Sequence, residues 1–301
     1  MSFKKTSILI AIVVSLVLIA AGCSADNGTA TSASDSGTAT SASDSGTATS
    51  ASDSGTGTAT ADTGSVDSLQ RVLDAGKLTV VGSGGYPPFN YIDDNGDVIG
   101  FDVDVGAEIA SRLGVELNYV TGEWSGLIEG LRSGRYDGIL GSMAITQDRL
   151  QTVNFSIPYY YSGAQLIVRS DSGITDPAEM DGCPVAVATG TNYVEDADTL
   201  GADTKLYDDD NLTLMELISG RVDGVITDRL VALQAMNEIK GGEDLALCGE
   251  ILRLEEMGIA INKEDTTLLE KIDEILQAMH DDGTMTAISE KWMNGADITV
   301  K

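Results

Sequence analysis

The chain has few of the residues that build metal sites and nucleic-acid-binding surfaces. Its 301 residues include one histidine and three cysteines, which show no spacing typical of a metal site. Lys and Arg together number 18 against 47 Asp and Glu, so the net charge is −29. Because phosphate binding needs clustered basic side chains, this composition disfavours nucleic acid as a partner. We therefore expect no metal, no cofactor and no nucleic acid.

Long apolar runs are absent except near the N-terminus. Lys4 and Lys5 precede an almost wholly apolar run over residues 8–21, and small residues follow it. The run is roughly 14 residues long, whereas a membrane-spanning helix needs about 20. Positive residues, a short apolar run and small residues, in that order, are typical of a secretory signal peptide. We predict a signal peptide over residues 1–22.

The end of this leader carries the first cysteine. Residues 18–23, Leu-Ile-Ala-Ala-Gly-Cys, resemble the lipobox of prokaryotic lipoproteins. That resemblance implies cleavage before Cys23, acylation of Cys23 and attachment to the cell membrane on its extracytoplasmic face, in the periplasm or on the outer surface. The alternative is a plain cleavable signal followed by an incidental cysteine.

A polar repeat follows the leader. The nonapeptide Gly-Thr-Ala-Thr-Ser-Ala-Ser-Asp-Ser begins at Gly28 and recurs from Gly37 and from Gly46. Nothing in it can bury apolar area, so we predict a disordered linker over residues 23–65 that tethers the folded part to the membrane.

The two remaining cysteines are far apart in the sequence. With Cys23 assigned to lipid, Cys183 and Cys248 form a pair in an oxidising compartment. We predict a disulfide between them, and free buried thiols are the alternative.

From residue 66 onward, strand-like and helical patterns alternate. Such alternation predicts an α/β fold with mostly parallel sheets, in which ligands bind beyond the carboxyl ends of the strands. The strand-like segments are 78–81, 115–119, 136–140, 184–188 and 222–226, and the helical ones are 101–113, 127–131, 212–218, 230–236 and 268–279.

An ordered set of motifs in this part resembles extracytoplasmic solute-binding proteins of family 3, the polar amino-acid-binding proteins of ABC importers. The resemblance covers residues 69–292. The motifs are Tyr-Pro-Pro-Phe at 86–89, Gly-Phe-Asp-Val-Asp at 100–104, residues 124–131 and 137–149, Phe-Ser-Ile-Pro-Tyr at 155–159, Gly-Thr-Asn at 190–192, Gly-Arg-Val-Asp at 220–223 with Asp228, and Gly283 with Glu-Lys-Trp at 290–292.

The resemblance implies a two-lobe periplasmic-binding-protein-like fold of type II. Two mostly parallel sheets are joined by two hinge strands, and the ligand cleft lies between the lobes. We expect the first lobe at 66–167 and 262–301 and the second at 168–261. The chain is expected to cross between them at 165–168 and 258–261.

The resemblance also implies roles for the charged residues of the cleft. Arg149 is expected to bind the carboxylate of an amino acid, because a guanidinium forms two parallel hydrogen bonds with a carboxylate. Asp228 is expected to bind the ligand's ammonium group. The alternatives are a surface ion pair for Arg149 and a helix-capping role for Asp228.

The remaining cleft residues are expected to touch the ligand's carboxylate or its side chain. Ser142 and Ala144 flank the loop before Arg149, and the Ala144 backbone N–H stands in place of a hydroxyl. Thr191 and Asn192 are expected to reach the carboxylate from the other lobe, although a helix N-cap explains these two residues equally well. Tyr86, Trp124 and Ser83 are expected to line the side-chain pocket, with core packing as the alternative for the two aromatic residues.

These observations favour a substrate-binding lipoprotein over an enzyme. It would capture a polar amino acid, basic and amide side chains included, by lobe closure and deliver it to an ABC importer permease, as a monomer. One alternative is a cyclohexadienyl or arogenate dehydratase on the same fold, in which a Glu that acts as general acid follows Gly-Thr-Asn. Tyr193 stands at that position here, and a phenol is poorly matched to the task. Another alternative is a ligand sensor that feeds a receptor.

Overall fold

The computed structural model describes residues 67–301 of the protein. The predicted signal peptide, the lipidation site Cys23 and the linker over 23–65 lie outside the described residues. Within 67–301, no helix has the length and apolar character needed to cross a membrane. The same residues contain no group of three or more side chains arranged to ligate a metal ion.

Helices and strands alternate along most of the described chain. The α-helices are α1 Ser68–Ala75, α2 Phe101–Leu113, α3 Leu127–Arg132, α4 Gln147–Thr152, α5 Tyr193–Thr199, α6 Asp210–Ile218, α7 Arg229–Glu238, α8 Thr266–Asp281 and α9 Thr284–Trp292. The strands are β1 Lys77–Gly82, β2 Gly85–Tyr86, β3 Asn90–Ile92, β4 Val98–Ile99, β5 Glu116–Thr121, β6 Gly138–Ile139, β7 Val153–Phe155, β8 Tyr160–Arg169, β9 Pro184–Ala188, β10 Asp203–Tyr207, β11 Gly224–Asp228, β12 Leu245–Met257 and β13 Ala260–Asn262.

The first lobe is built on a five-stranded sheet in the order β5-β1-β6-β13-β7. Strand β1 pairs in parallel with β5 and β6, whereas β13 is antiparallel to both β6 and β7. A small antiparallel sheet of β2, β3 and β4 follows β1. Helices α1, α2, α8 and α9 pack on one another and bury the main core of this lobe.

The second lobe is built on the sheet β10-β9-β11-β8-β12. Strand β9 is parallel to β10 and β11, and β8 is antiparallel to β11 and β12. The two-lobe α/β fold is therefore confirmed, but each large sheet is mixed rather than mostly parallel. The antiparallel strands are those that lead into or out of a crossing, because a chain that passes from one sheet to the other runs against the strands that it joins.

The first crossing lies earlier than the expected segment, 165–168. Those residues are inside β8, where Gln165 pairs with Thr227 of β11 and Val168 pairs with Gly224. Tyr160 still packs in the core of the first lobe, and β8 pairs with β11 only from Ala164 onward, so the chain passes between the sheets within residues 160–164. Over the same stretch β12 pairs with β8 from Arg253 to Met257, which is buried in the first lobe, so the return lies within 253–257, earlier than the expected 258–261.

Helix α2 shows how the apolar spacing determines a buried face. Phe101, Val105 and Ile109 recur at helical spacing, and each is at most 1% exposed. Gly114 ends the helix in the left-handed conformation at φ 74°, a C-terminal cap that glycine forms without steric cost. This helix places its first turn against the start of β3, next to the cleft.

The predicted disulfide is absent, because Cys183 and Cys248 are both free thiols in the structure. Cys183 immediately precedes β9 and Cys248 lies in β12, and strands β11 and β8 separate those two strands in the sheet. The two residues nevertheless pack in the same hydrophobic cluster, and the Cys183 thiol donates to the carbonyl of Glu179 at 3.5 Å instead of bonding to Cys248.

Candidate functional site

A cavity of about 180 Å³ lies between the two lobes. Its walls come from the segments that follow β1, β5 and β6 in the first lobe and β9 and β10 in the second. These are the carboxyl ends of the parallel strands, where α/β sheets bind their ligands. The lining residues are Ser83, Gly84, Gly85, Tyr86, Gly122, Glu123, Trp124, Ser142, Ala144, Arg149, Ala188, Thr191, Asn192, Tyr193, Asp208, Asp209 and Asp210.

Arg149 is held in the cavity wall by backbone carbonyls. It lies in the first turn of α4, which Thr146 caps by accepting the Arg149 N–H at 3.2 Å. Its guanidinium donates to the carbonyl of Ala144 at 2.9 Å and to that of Gly190, in the other lobe, at 3.5 Å. Burial lowers the pKa of Arg149, although the carboxylate of Glu255 opposes this. Within residues 67–301 the guanidinium forms no ion pair, so its positive charge is available to an anionic group.

The aromatic wall combines Trp124 and Tyr86. The guanidinium of Arg149 lies over the Trp124 ring, 5.6 Å from its centroid. Tyr86 stacks on Phe89 with ring centroids 5.8 Å apart. Both rings thus line the cavity as well as packing on neighbours, a surface suited to aliphatic stems and to cations.

The Ser142 segment has an unusual backbone. Ser142 has φ 58°, in the left-handed region that non-glycine residues seldom adopt. Its hydroxyl donates to Asp102 at 3.0 Å, and its N–H donates to the Tyr159 hydroxyl at 3.0 Å. Both donors of Ser142 are engaged inside the protein, so this residue shapes the cavity wall without offering a free donor.

Thr191 and Asn192 reach the cavity from the second lobe. The Thr191 hydroxyl donates to the carbonyl of Ala188 at 2.7 Å, which closes the turn after β9. Asn192 occupies the N-cap position of α5, but its side chain makes no capping bond and donates instead to Glu255 at 2.7 Å. The helix-cap alternative therefore describes the position of Asn192 and not its side-chain contact.

Glu255 joins this wall to the hinge. Its side chain is fully buried in β12 and accepts hydrogen bonds from Asn192, Tyr193 and Arg253. Arg253 also forms a two-pronged ion pair with Asp196 of α5, at 3.2 and 2.7 Å. The start of α5 is thereby fastened to the strand that returns to the first lobe.

The sequence of residues 78–295 matches the family model described as bacterial extracellular solute-binding proteins, family 3. The chain belongs to this family.

Two curated proteins and two solved structures illustrate the likeness. The L-cystine-binding protein TcyJ of Escherichia coli is 36% identical over 77% of this chain and 87% of its own length. The ABC transporter arginine-binding protein 1 of E. coli is 30% identical over 72% and 91%. A mutant of ArgBP from T. maritima superposes with a TM-score of 0.71 at 36% identity, covering 75% of this chain and 99% of its own. An ancestral amino acid-binding protein, a precursor of cyclohexadienyl dehydratase, has a TM-score of 0.70 at 30% identity, with the same coverage.

Of the nine ligand-binding residues expected from the sequence of this family 3 protein, the structure brings eight to the cavity wall. The ninth, Asp228, is fully buried and does not line the cavity. One of its carboxylate oxygens caps α7 by accepting the N–H groups of Leu230 and Val231 at 2.7 and 3.4 Å. The other oxygen has no hydrogen-bond partner among the described residues. Burial, and then the charge of Glu255, raise the pKa of Asp228 to about 7.

Sequence reasoning missed the acidic wall of the second lobe. Asp208, Asp209 and Asp210 line the cavity between β10 and α6. Asp210 is 8% exposed, it accepts a hydrogen bond from Thr227 at 2.5 Å, and burial raises its pKa to about 6. The available signal was three consecutive aspartates directly after the alternating run of β10.

The two lips of the cleft touch each other. The side-chain amide of Asn211 donates to the carbonyl of Gly85 at 2.9 Å, from α6 to the small sheet of the first lobe. A Cβ added at Gly190 would be in ordinary van der Waals contact with Ser125 of the first lobe, 3.4 Å from its Cα. Together with the contact of Arg149 with Gly190, these distances describe a closed arrangement of the lobes.

Proposed function

We propose that this chain is an extracytoplasmic amino-acid-binding protein that closes its lobes around a polar amino acid and delivers it to the permease of an ABC importer. The observation that carries the proposal is Arg149, a half-buried guanidinium whose hydrogen bonds go only to backbone carbonyls, at the point where both lobes meet. A ligand carboxylate would supply the anion that this group lacks.

The carboxylates of the site support a role in binding the ligand's positive groups. Asp228 lies behind the cavity wall and has a buried oxygen without a partner, which an ammonium group would supply once the wall opened to admit it. The other acids, Glu123 and residues 208–210, line a cavity in which Arg149 is the only cationic lining residue. This charge balance favours a ligand with a cationic side chain, such as arginine. Several relatives are named as arginine-binding proteins.

L-cystine is the second candidate ligand, because a relative named for it is 36% identical to this chain. Cystine carries two carboxylates and two ammonium groups. Its distal carboxylate would need a cation besides Arg149, and the cavity wall offers none. The acidic wall therefore favours arginine over cystine.

The dehydratase alternative is weaker on the chemistry of the site. Tyr193 occupies the position after Gly-Thr-Asn, and its hydroxyl donates to Glu255 at 3.2 Å. Burial and the Glu255 charge raise the pKa of Tyr193 well above its ordinary value, which makes the phenol a still poorer acid. A ligand sensor would use the same cleft, and only its partner would differ.

We propose acylation at Cys23 after removal of residues 1–22, a tether over 23–65, and a monomeric folded part. We also propose that the lobes divide at the crossings within 160–164 and 253–257, rather than at residues 167 and 261. The net charge of −29 is consistent with the absence of a nucleic-acid partner.

A thermal-shift screen tests the function. The purified protein, unfolded and refolded to remove bound ligand, is melted with each of the twenty amino acids, ornithine, L-cystine and prephenate. Binding to the folded state alone stabilises by about 4 kcal/mol at a thousandfold excess over Kd. A shift with basic amino acids supports the proposal, a shift with cystine alone supports the second candidate, and consumption of prephenate with no amino-acid shift refutes both.

A further inference from the structure

Asp102 is a buried carboxylate that the proposed ligand contacts do not use. It lies in the first turn of α2, within the motif Gly-Phe-Asp-Val-Asp, and is 0% exposed. Its oxygens accept from the Asn90 side-chain amide at 2.7 Å, the Ser142 hydroxyl at 3.0 Å and the Tyr159 hydroxyl at 2.7 Å. No cation is among these partners, so the charge is held by hydrogen bonds alone.

One branch of this network leads to the loop after β1. Because the Asn90 amide nitrogen donates to Asp102, its oxygen points the other way. That oxygen accepts the backbone N–H of Gly84 at 2.9 Å and the hydroxyl of Ser83 at 3.3 Å. Ser83 and Gly84 line the cavity. The carboxylate of Asp102 thus fixes which end of the Asn90 amide faces this loop.

The other branch leads to the Ser142 segment. The Tyr159 hydroxyl donates its hydrogen to Asp102 and accepts the Ser142 N–H, so the carboxylate sets the direction of that hydroxyl. Ser142 is held at φ 58° by this bond and by its own bond to Asp102. Two residues further on, the carbonyl of Ala144 accepts the guanidinium of Arg149. The strained turn therefore determines where the cation of the cleft is anchored.

We propose that Asp102 is the positioning residue of the ligand cleft. Through Asn90 it fixes the loop over residues 83–84, and through Tyr159 and Ser142 it fixes the turn over residues 142–144. Asp102 does not touch the ligand. It acts by giving three donors one acceptor group, and a neutral amide at this position cannot do so. An asparagine presents one acceptor oxygen and one donor nitrogen, so at least one of the three donors loses its acceptor.

Asp104 provides a matched control in the same motif. It is two residues along α2, and its carboxylate accepts from Lys291 and from the Trp292 indole at 2.7 Å, in the first lobe and away from the cavity. Asp102→Asn and Asp104→Asn make the same chemical change in the same helical turn, and only the first alters the network.

Amide hydrogen exchange tests the positioning role without any ligand. In Asp102→Asn we expect the Gly84 amide, the Ser142 amide or both to exchange roughly tenfold faster or more, because their acceptors, Asn90 and Tyr159, are the groups that the carboxylate orients. The Thr189 amide, which donates to Tyr207 in the second lobe, serves as an internal reference. Tyr159→Phe is the second variant. It removes one hydroxyl and should accelerate hydrogen exchange of the Ser142 amide while leaving exchange of the Gly84 amide unchanged. Unchanged exchange at both amides in Asp102→Asn would overturn the inference.

A binding experiment separates positioning from general destabilisation, and it rests on the proposed function. Isothermal titration compares L-arginine with L-argininamide, which lacks the carboxylate. We expect Asp102→Asn to weaken L-arginine about tenfold or more and L-argininamide much less, while Asp104→Asn changes neither beyond about twofold. If Asp102→Asn weakened the binding of both ligands equally, Asp102 would stabilise the fold without positioning the carboxylate site. If the wild-type protein binds no amino acid, the proposed function fails, and the exchange experiment still decides the positioning role.

Discussion

Asn211 of the second lobe and Gly85 of the first are joined by a hydrogen bond of 2.9 Å across the mouth of the cleft. The donor is a side chain on α6 and the acceptor is a backbone carbonyl of the small sheet. This bond forms only when the lobes are closed, so it stabilises the closed state, although Asn211 itself does not line the cavity.

Removal of this bond should shift the protein toward the open state. A neutral hydrogen bond contributes roughly 0.5–1.5 kcal/mol, so Asn211→Ala should weaken ligand binding about two- to tenfold. Small-angle scattering should show a larger radius of gyration without ligand. Asn237→Ala is the control, because Asn237 bonds only to Leu233 within its own helix. Equal affinities in the two variants would contradict the role assigned to Asn211.

Arg149→Ala should abolish the amino-acid-induced thermal shift. A two-pronged, charge-assisted pair in a buried cleft is among the stronger polar contacts, and we expect at least a hundredfold loss of affinity. Arg149→Lys should recover little of it, since an ammonium cannot form both bonds. Arg132→Ala removes a surface arginine paired with Glu129 and should bind as wild type. Full binding by Arg149→Ala would refute the carboxylate role.

Gly190 and Gly173 form a matched pair of substitutions. Both have positive φ, 79° and 76°, so alanine should destabilise the fold by about 1 kcal/mol at either site. The Gly190 carbonyl accepts from Arg149 across the cleft, so strain in this backbone would disturb the cation of the site, whereas Gly173 lies away from the cavity with nothing within 4 Å of a new Cβ. We expect similar losses in melting temperature and a loss of ligand affinity only for Gly190→Ala. A comparable loss of affinity in Gly173→Ala would contradict a role of the Gly190 backbone in binding.

Ligand binding should depend on pH through Asp228. Its pKa of about 7 is raised by burial, and an ammonium group binds only the ionised carboxylate. Affinity for L-arginine should therefore fall as pH is lowered from about 8 to about 6.5, approaching tenfold per unit below the pKa. Asp210, with a pKa of about 6, titrates mostly below that window.

The stability of the protein without ligand should change in the opposite sense over this window. A raised carboxyl pKa means that the folded state holds the proton more tightly, so the contribution of Asp228 to stability is lost as pH rises through 7. Titration calorimetry and thermal melts across this range measure the two effects. Asp228→Asn should remove the affinity slope and reduce the stability slope, to which Asp102 and Asp210, with pKa values raised to about 6, still contribute. Wild-type affinity that is flat with pH would exclude the ammonium contact.

Thiol titration checks the state of the cysteines. Because Cys183 and Cys248 are free in the structure, the unfolded, non-reduced protein should yield two reactive thiols from them. In the folded state Cys248 should react slowly, since it is 2% exposed and burial raises its thiol pKa. A yield of no thiols from the two residues, restored by reductant, would establish the bridge that the structure lacks.

The sequence predicted those features that depend on local pattern. The alternation around 101–113 and 268–279 gave helices whose apolar residues are buried, and the motifs placed Arg149, Trp124 and Thr191 on the cavity wall. Residues 208–210 were missed because a run of aspartates reads as a solvated turn until the opposite lobe closes over it. The first crossing was expected at 165–168 from the resemblance alone, and nothing in the local pattern of these residues shows that they already pair with β11 of the second lobe.

Contacts between distant segments were beyond local pattern altogether. Asp102, Asn90, Ser142 and Tyr159 are spread over 70 residues of sequence, and nothing in the spacing of these residues indicates that one carboxylate accepts from the other three. The same holds for the engagement of both Ser142 donors. The motif over 137–149 identified Ser142 as a cleft residue, and only the folded structure showed that its hydroxyl and its N–H both donate inside the protein.

The convergence of Asn192, Tyr193 and Arg253 on Glu255 has a mechanical consequence. The part of the second lobe that faces the ligand cannot slide relative to the returning strand, so opening must proceed as a rotation of a stiff body about the two crossings. A small angular change at the hinge then becomes a large displacement at the cleft mouth. Substitutions around Glu255 should therefore alter how long a captured ligand is retained more than how quickly it is first encountered.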